Sequence, residues 1–191
     1  MNKTFYWGTG AGLVLIILIV VGFASYNALF NLGSDKFTVK IASLVGLPVG
    51  FVDGHYLSYS DFQNDLSAVQ NFYNFQKKQN PSFQAPGLVE LQKSVWERLA
   101  RQVVLAEQAK LAKITVSQDD LNQEFEKVIK ELGTAEAAEK MMNDTYGWSS
   151  EQFKKKVLTP FLLQERLSAA TSTFDLEKEY AKSKVWKWIK I

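Results

Sequence analysis

Few residues in this chain could do bond-making chemistry. Its 191 residues include no cysteine and a single histidine. No disulfide, thiolate nucleophile or cysteine-ligated metal can form. A Ser-His-Asp or Cys-His centre would have to use His55, which sits in the turn-like Asp53-Gly54-His55 with no activated nucleophile beside it. A metal would have to rely on carboxylates. Asp119, Asp120, Glu124 and Glu126 are close in sequence, but on a helix they spread over several faces, and acids in a first turn complement the helix dipole. The glycines make no Walker or dinucleotide pattern, and Gly8-Thr9-Gly10-Ala11-Gly12 follows no strand. The expectation is a protein that is not an enzyme and needs no cofactor and no metal. A formal net charge of +2 supplies no basic field for a nucleic-acid partner.

The residues that could bind something are apolar. Phe72, Tyr73, Phe75, Phe83, Met141, Met142, Tyr146 and Trp148 fall in or beside loop-rich places. Methionine adapts to many surfaces, and rings supply large contact areas. Phe72, Phe75, Phe83, Met141, Met142 and Trp148 are the candidate peptide-binding set, with ordinary core packing as the alternative for each.

Two kinds of element must position these residues. From Thr4 to Ser34 the chain carries no charge, and Leu13–Val21 is continuously aliphatic. As a helix, residues 11–32 would be about 33 Å long, enough to cross a ~30 Å hydrocarbon core. Tyr6, Trp7, Tyr26 and Phe30 flank the run where amphipathic rings favour the interface. The alternative is a signal peptide cut near Gly22-Phe23-Ala24, but the apolar core exceeds the usual h-region and only Lys3 supplies the n-region. A retained single-pass anchor over 1–33 is expected, with the following domain extracytoplasmic. Lysines flank both ends, so the positive-inside rule leaves the orientation weakly set.

After the anchor, residues 34–50 read as a connector in which Phe37–Ile41 alternates weakly, as a short strand would. Val52-Asp53-Gly54-His55 suggests a small hairpin. Helices then dominate. Ser58 or Ser60 caps a first helix that ends at Asn80-Pro81. A second runs from near Pro86 to about Lys113 with the stripe Leu88, Leu91, Val95, Leu99, Val103, Ala106 and Leu111. Ser117 caps a third that Gly133 ends, Ala135–Asn143 forms a short one, and Ser149-Ser150-Glu151-Gln152 is a capping box for the last. Pro160 should kink or split that last helix. Residues 174–191 form a basic, aromatic tail in which Val185, Trp186, Trp188 and Ile189 alternate with lysines. It reads as a last helix or strand whose tryptophans cap the core, or as a segment touching anionic lipid.

Four segments, in order, carry a resemblance. Val52-Asp53-Gly54-His55-Tyr56-Leu57-Ser58-Tyr59-Ser60-Asp61-Phe62 resembles the opening of the SurA-type N-terminal chaperone domain. Leu99–Lys110 is similar to that family's long helix, Ile114–Leu121 to its link, and Trp148–Phe153 with Leu162–Leu167 to its closing helices. The likeness covers about Val49–Ala170. It implies a helical module over 51–173 that holds unfolded envelope or secreted proteins. In that family the module is often joined to a parvulin-type prolyl isomerase domain. Here the segment after Thr173 is too short for one, and parvulin's active-site histidines have no counterpart.

The expected fold is therefore mainly α, one N-terminal transmembrane helix followed by a multi-helix SurA N-terminal-like domain with short β segments. The expected function is a membrane-anchored extracytoplasmic chaperone-like module. Its partners would be unfolded or partly folded polypeptides, and the bilayer through residues 11–32. The alternatives are a scaffolding subunit of an envelope complex and a reduced relative of a parvulin-type isomerase.

Overall fold

The computed structural model describes residues 18–31, 35–171, 173–189 and 191. Residues 18–31 are helical (α1). There follow α2 (Lys36–Leu44), β1 (Pro48–Val52), β2 (His55–Ser58), α3 (Tyr59–Gln79), α4 (Leu88–Leu111), α5 (Gln118–Leu132) and α6 (Ala135–Tyr146). The chain closes with α7 (Ser150–Phe153), a π turn (Lys154–Leu158), α8 (Thr159–Ala170), α9 (Leu176–Lys182) and β3 (Val185–Lys187).

The expected membrane span falls only partly on described residues; 11–17 and 32 lie outside them. Among the described residues no helix is long and apolar enough to cross a membrane. Helix α1 has two characters. Leu18, Ile19, Phe23, Tyr26 and Phe30 are exposed, while Ala24 and Ala28, one turn apart, are fully buried. Asn27 Nδ2 donates to Thr38 Oγ1 at 3.2 Å, joining α1 to α2.

The strand expected at Phe37–Ile41 is instead α2. Asp35 caps it by accepting from the Thr38 backbone N–H at 2.9 Å, and the buried pair is Thr38 and Ala42. Two small residues spaced by four make a helix-packing face that a count of bulky apolar residues overlooks. The connector assigned to 34–50 is thus largely a helix packed on α3.

The hairpin forms as its turn requires: Asp53 and Gly54 both take positive φ, 48° and 85°, the type I′ arrangement that matches strand twist. The sheet has the order β2-β1-β3, with β1 antiparallel to both neighbours. Asp53 fastens β3 to the hairpin turn: its N–H donates to Lys184 O at 3.0 Å, and its Oδ1 accepts from Lys184 N at 2.8 Å. The expected capping of the core by tryptophans is corrected here. Ile189 enters the core, whereas Trp186 and Trp188 remain exposed. Gly50 faces the interior, where a Cβ would lie 2.3 Å from Trp96 Cη2 and 2.2 Å from Trp186 O. Only glycine permits that approach.

The main core lies between this sheet, α3 and α4, and holds Val49, Val52, Tyr59, Phe62, Val95 and Trp96. A second cluster, Phe125, Ala138, Met142 and Leu158, joins α5 and α6 to the π turn. A third, Leu105, Ala109 and Leu167, seats α8 on α4. The α4 stripe differs from the expected one. Leu91, Val95 and Leu99 are buried, but Leu88 and Leu111 are exposed and Trp96, Ala100, Val104, Leu105 and Ala109 are buried instead. Helix α4 packs on α3 and the sheet as well as on α8 and α9, so it buries two flanks rather than one line.

Local signals give the remaining boundaries. Ser117 with Asp120, and Ser149 with Gln152, form capping boxes. Gly133 and Gly147 end α5 and α6 at positive φ. Pro160 does split its helix. Lacking an N–H, it cannot satisfy the carbonyl of Lys156; the Gln102 side-chain amide donates to that oxygen at 3.4 Å. The N–H and hydroxyl of Thr159 both go to Lys154 O, which produces the wider turn.

Candidate functional site

Among the described residues, the aromatic side chains form a continuous row along one side of α3. Phe83, on the loop after α3, stacks on Tyr73 with ring centroids 5.9 Å apart. Tyr73 meets Phe72 edge-on at 5.3 Å. Phe72 lies parallel to Tyr146 at 5.9 Å, and Tyr146 stacks on Trp148 at 5.3 Å. Offset and edge-on contacts at these distances suit the ring quadrupoles. The row spans three segments: α3, the loop 80–87, and the α6 terminus with Trp148 beyond it.

Asn71 holds the far end in place. Its Nδ2 donates to Tyr146 O at 3.2 Å, and it would lie 2.8 Å from a Cβ at Gly147. A side chain at 147 would push the anchor point away. Two shallow grooves flank this part of α3. One, about 510 Å³, runs between α3 and the start of α4 and is lined by Gln70, Asn71, Tyr73, Asn74, Pro86 and Leu88 among others. The other, about 540 Å³, lies between α3 and α6, with Asn71, Asn74, Phe75, Lys78, Asn143 and Asp144 on its walls. Asn71 and Asn74 belong to both. Side-chain amides offer a donor and an acceptor together, which matches an extended peptide backbone without selecting for charge.

The six candidate residues are treated unequally by the fold. Phe72 and Phe83 stand in the row, half-buried, and Phe75 lines the α3–α6 groove. Met141 is half-buried on α6. Met142 is fully buried against Phe125 and Leu158, and Trp148 is buried at the end of the row. Those last two present almost no surface of their own. Tyr73 and Tyr146 complete the row. The amides of Gln70, Asn71 and Asn74 were overlooked in the sequence; their signal is the cluster of Asn and Gln along α3.

A buried charge cluster keeps α3 in register beneath the site. Asp65 has a side chain 1 % exposed and is met by Arg98 Nη2 at 2.8 Å and Lys156 Nζ at 2.6 Å. This ties α3 to α4 and to the π turn. Lys154, 9 % exposed, bonds Asn122 Oδ1 and Glu151 Oε1, both at 2.9 Å, and lies 4.9 Å from the Phe125 ring centre. At the α5 start, Asp120 pairs with Arg166. That guanidinium, with the Ser117 N–H and hydroxyl, holds the Asp120 carboxyl well below the usual carboxylate range. Burial pushes the Tyr59 phenol up to about 12, so it stays a neutral core group that accepts from Gln63 Nε2 at 2.9 Å.

His55 is exposed at the start of β2, its Nε2 3.1 Å from Glu107 Oε1. Among the described residues, no three His, Cys, Asp or Glu side chains are grouped so that they could hold a metal ion.

Compared with known proteins, residues 8–162 match the SurA-like N-terminal domain. No curated protein and no solved structure matches the chain. The matched span takes in the hairpin, the long α3 and α4, the capped α5, and the closing helix only as far as Leu162, so most of Leu162–Leu167 lies beyond it. The chain belongs to the SurA-like N-terminal domain family.

Proposed function

We propose that this protein is a membrane-anchored, extracytoplasmic holding chaperone that binds unfolded or extended apolar segments and catalyses no reaction on them. Family membership supports a chaperone-like role in general terms. The observation that carries the finer reading is the row Phe83–Tyr73–Phe72–Tyr146–Trp148 set beside two amide-lined grooves. Rings would cover apolar side chains of a client, and amides would take its backbone. Shallow, open grooves favour many weak contacts over one tight one, as a holder requires. The anchor rests on the uncharged Thr4–Ser34 stretch and its single-span length.

The test uses the full chain in nanodiscs with a chemically unfolded client. Aggregation of the client, followed by light scattering, should be suppressed at several-fold molar excess. Replacing Phe75 and Phe83 with Ser should weaken suppression while helicity by circular dichroism stays. A folded chain that leaves aggregation unchanged, or one that turns over proline peptides, would defeat the proposal.

A further inference from the structure

The sheet has a second aromatic surface that client holding does not use. In β1 and its neighbours, Phe51 is directly opposite both Tyr56 and Trp186, so the three side chains rise from the same face. Trp188, two residues beyond Trp186, meets the Phe51 ring edge-on at 5.1 Å. The opposite face, at Gly50, packs on Trp96. The outer face is therefore aromatic across all three strands and open: Tyr56 is 60 % exposed, Trp186 67 % and Trp188 50 %.

We infer that this outer face lies on the headgroup–acyl boundary of an anionic bilayer; the inference rests on the anchored reading proposed above. Three observations select that occupant. The first is ring chemistry: Tyr and Trp pair an apolar body with a polar tip and favour the interface. The second is charge. From Lys182 to the end of the sequence every ionisable side chain is a lysine; Lys184 immediately precedes the strand and Lys187 ends it, so the aromatic face has cations at its edge, as attraction to acidic headgroups requires. The third is position. A relay of short bonds leads from α1 to the aromatic strand: Asn27 Nδ2 to Thr38 Oγ1 at 3.2 Å, Leu47 N to Ala42 O at 2.8 Å, and Trp188 N to Val49 O at 2.9 Å. The face is thus joined through α2 and the start of β1 to the helix that continues the apolar stretch. Seating it in the interface would hold the domain at a fixed tilt over the membrane, with the α3–α6 side turned elsewhere.

The chain has no cysteine, so single Tyr56→Cys, Leu15→Cys and Glu131→Cys variants can each take one nitroxide label. The full chain is placed in vesicles of phosphatidylcholine and phosphatidylglycerol, and label accessibility to oxygen and to a water-soluble nickel chelate is measured. Leu15→Cys should read the bilayer centre and Glu131→Cys water. Tyr56→Cys should read interfacial depth, with oxygen access raised over nickel access, and should shift toward water in pure phosphatidylcholine or when Trp186 and Trp188 are also Ser. In the unsubstituted chain, tryptophan emission should be quenched by lipid brominated high on its acyl chains, and Trp186→Phe with Trp188→Phe should lose part of that quenching. Tyr56→Cys reading water while Leu15→Cys reads deep would overturn the inference and leave the anchor standing. Leu15→Cys reading water would remove the anchored reading and the inference with it. A Tyr56 label shielded from both oxygen and nickel would mean a protein surface, such as a second copy, covers the face, and would also overturn it.

Discussion

Asp65→Ala is the most informative perturbation of the scaffold. The Asp65 side chain is 1 % exposed and meets two cations, Arg98, 34 % exposed, and Lys156, 14 % exposed. Deleting the carboxylate leaves Lys156 in a site with little water and only the longer 3.8 Å contact to the exposed Asp61, while Arg98 can still reach solvent. Removing one partner of a buried ion pair costs about 3–5 kcal/mol because an uncompensated charge remains. A domain of this size loses roughly 2–4 °C of Tm per kcal/mol, so the expected loss is on the order of 10 °C. Lys156→Met should cost less, about 1.5–3 kcal/mol for one lost hydrogen bond to a charged group, since Arg98 still neutralises Asp65. Replacing all three together, Asp65→Leu, Arg98→Met and Lys156→Met, should recover most of the loss, because the desolvation cost of the ions disappears with them. Thermal and urea unfolding of the full chain in nanodiscs, followed by circular dichroism, measures each. If Asp65→Ala shifts stability by less than about 1 kcal/mol, within the range of exposed surface pairs, the cluster does not hold α3 to α4 and the π turn.

Leu99, 7 % exposed in the main core, should cost about 2–5 kcal/mol when changed to Ala. Ser149→Ala should cost only ~1 kcal/mol, since it removes one capping acceptor; equal losses in urea titration would contradict the packing described. Gly50→Ala should destabilise the sheet by about 1–3 kcal/mol, because its Cβ has no room beside Trp96 and the Trp186 carbonyl; it should shift Trp emission as well as the midpoint. Asp120, held below its ordinary pKa of 3.8 chiefly by Arg166, should stabilise fully above that value. As pH falls toward the folded pKa the unfolded chain binds a proton that the native chain refuses, so stability drops. Arg166→Gln should flatten that acid dependence, and carboxyl NMR of the native protein should place the Asp120 midpoint below 3.8; an ordinary midpoint would refute the pairing.

What the sequence revealed was mostly local. Ser117, Ser149, Gly133 and Pro160 act on their own helix ends, so their effect needs no knowledge of the fold. The hairpin turn at Asp53-Gly54 was equally plain. The elements that escaped depend on distant partners. Helix α2 is identified by the burial of Thr38 and Ala42 against neighbours, not by bulk apolarity. Trp186 and Trp188 could not be placed until β3 was paired with β1, and that pairing sends Ile189 inward and the indoles out. Nothing near Asp65 in the sequence announces that Arg98 and Lys156 converge on it. The candidate site shows the same division. Its rings were visible as residue types, but ring order follows only from docking α6 on α3, and the burial of Met142 only from packing α6 on α5 and the π turn.

The most direct test of client holding is site-specific photocrosslinking in intact cells. p-Benzoylphenylalanine replaces Phe75 or Phe83 in the full chain, with Glu131 as the control position. The holding account expects many adducts of different size from both positions, few from Glu131, and their decay when protein synthesis is stopped and clients finish folding. One discrete adduct that persists after synthesis stops would mean a fixed partner and a scaffold, and would contradict the account.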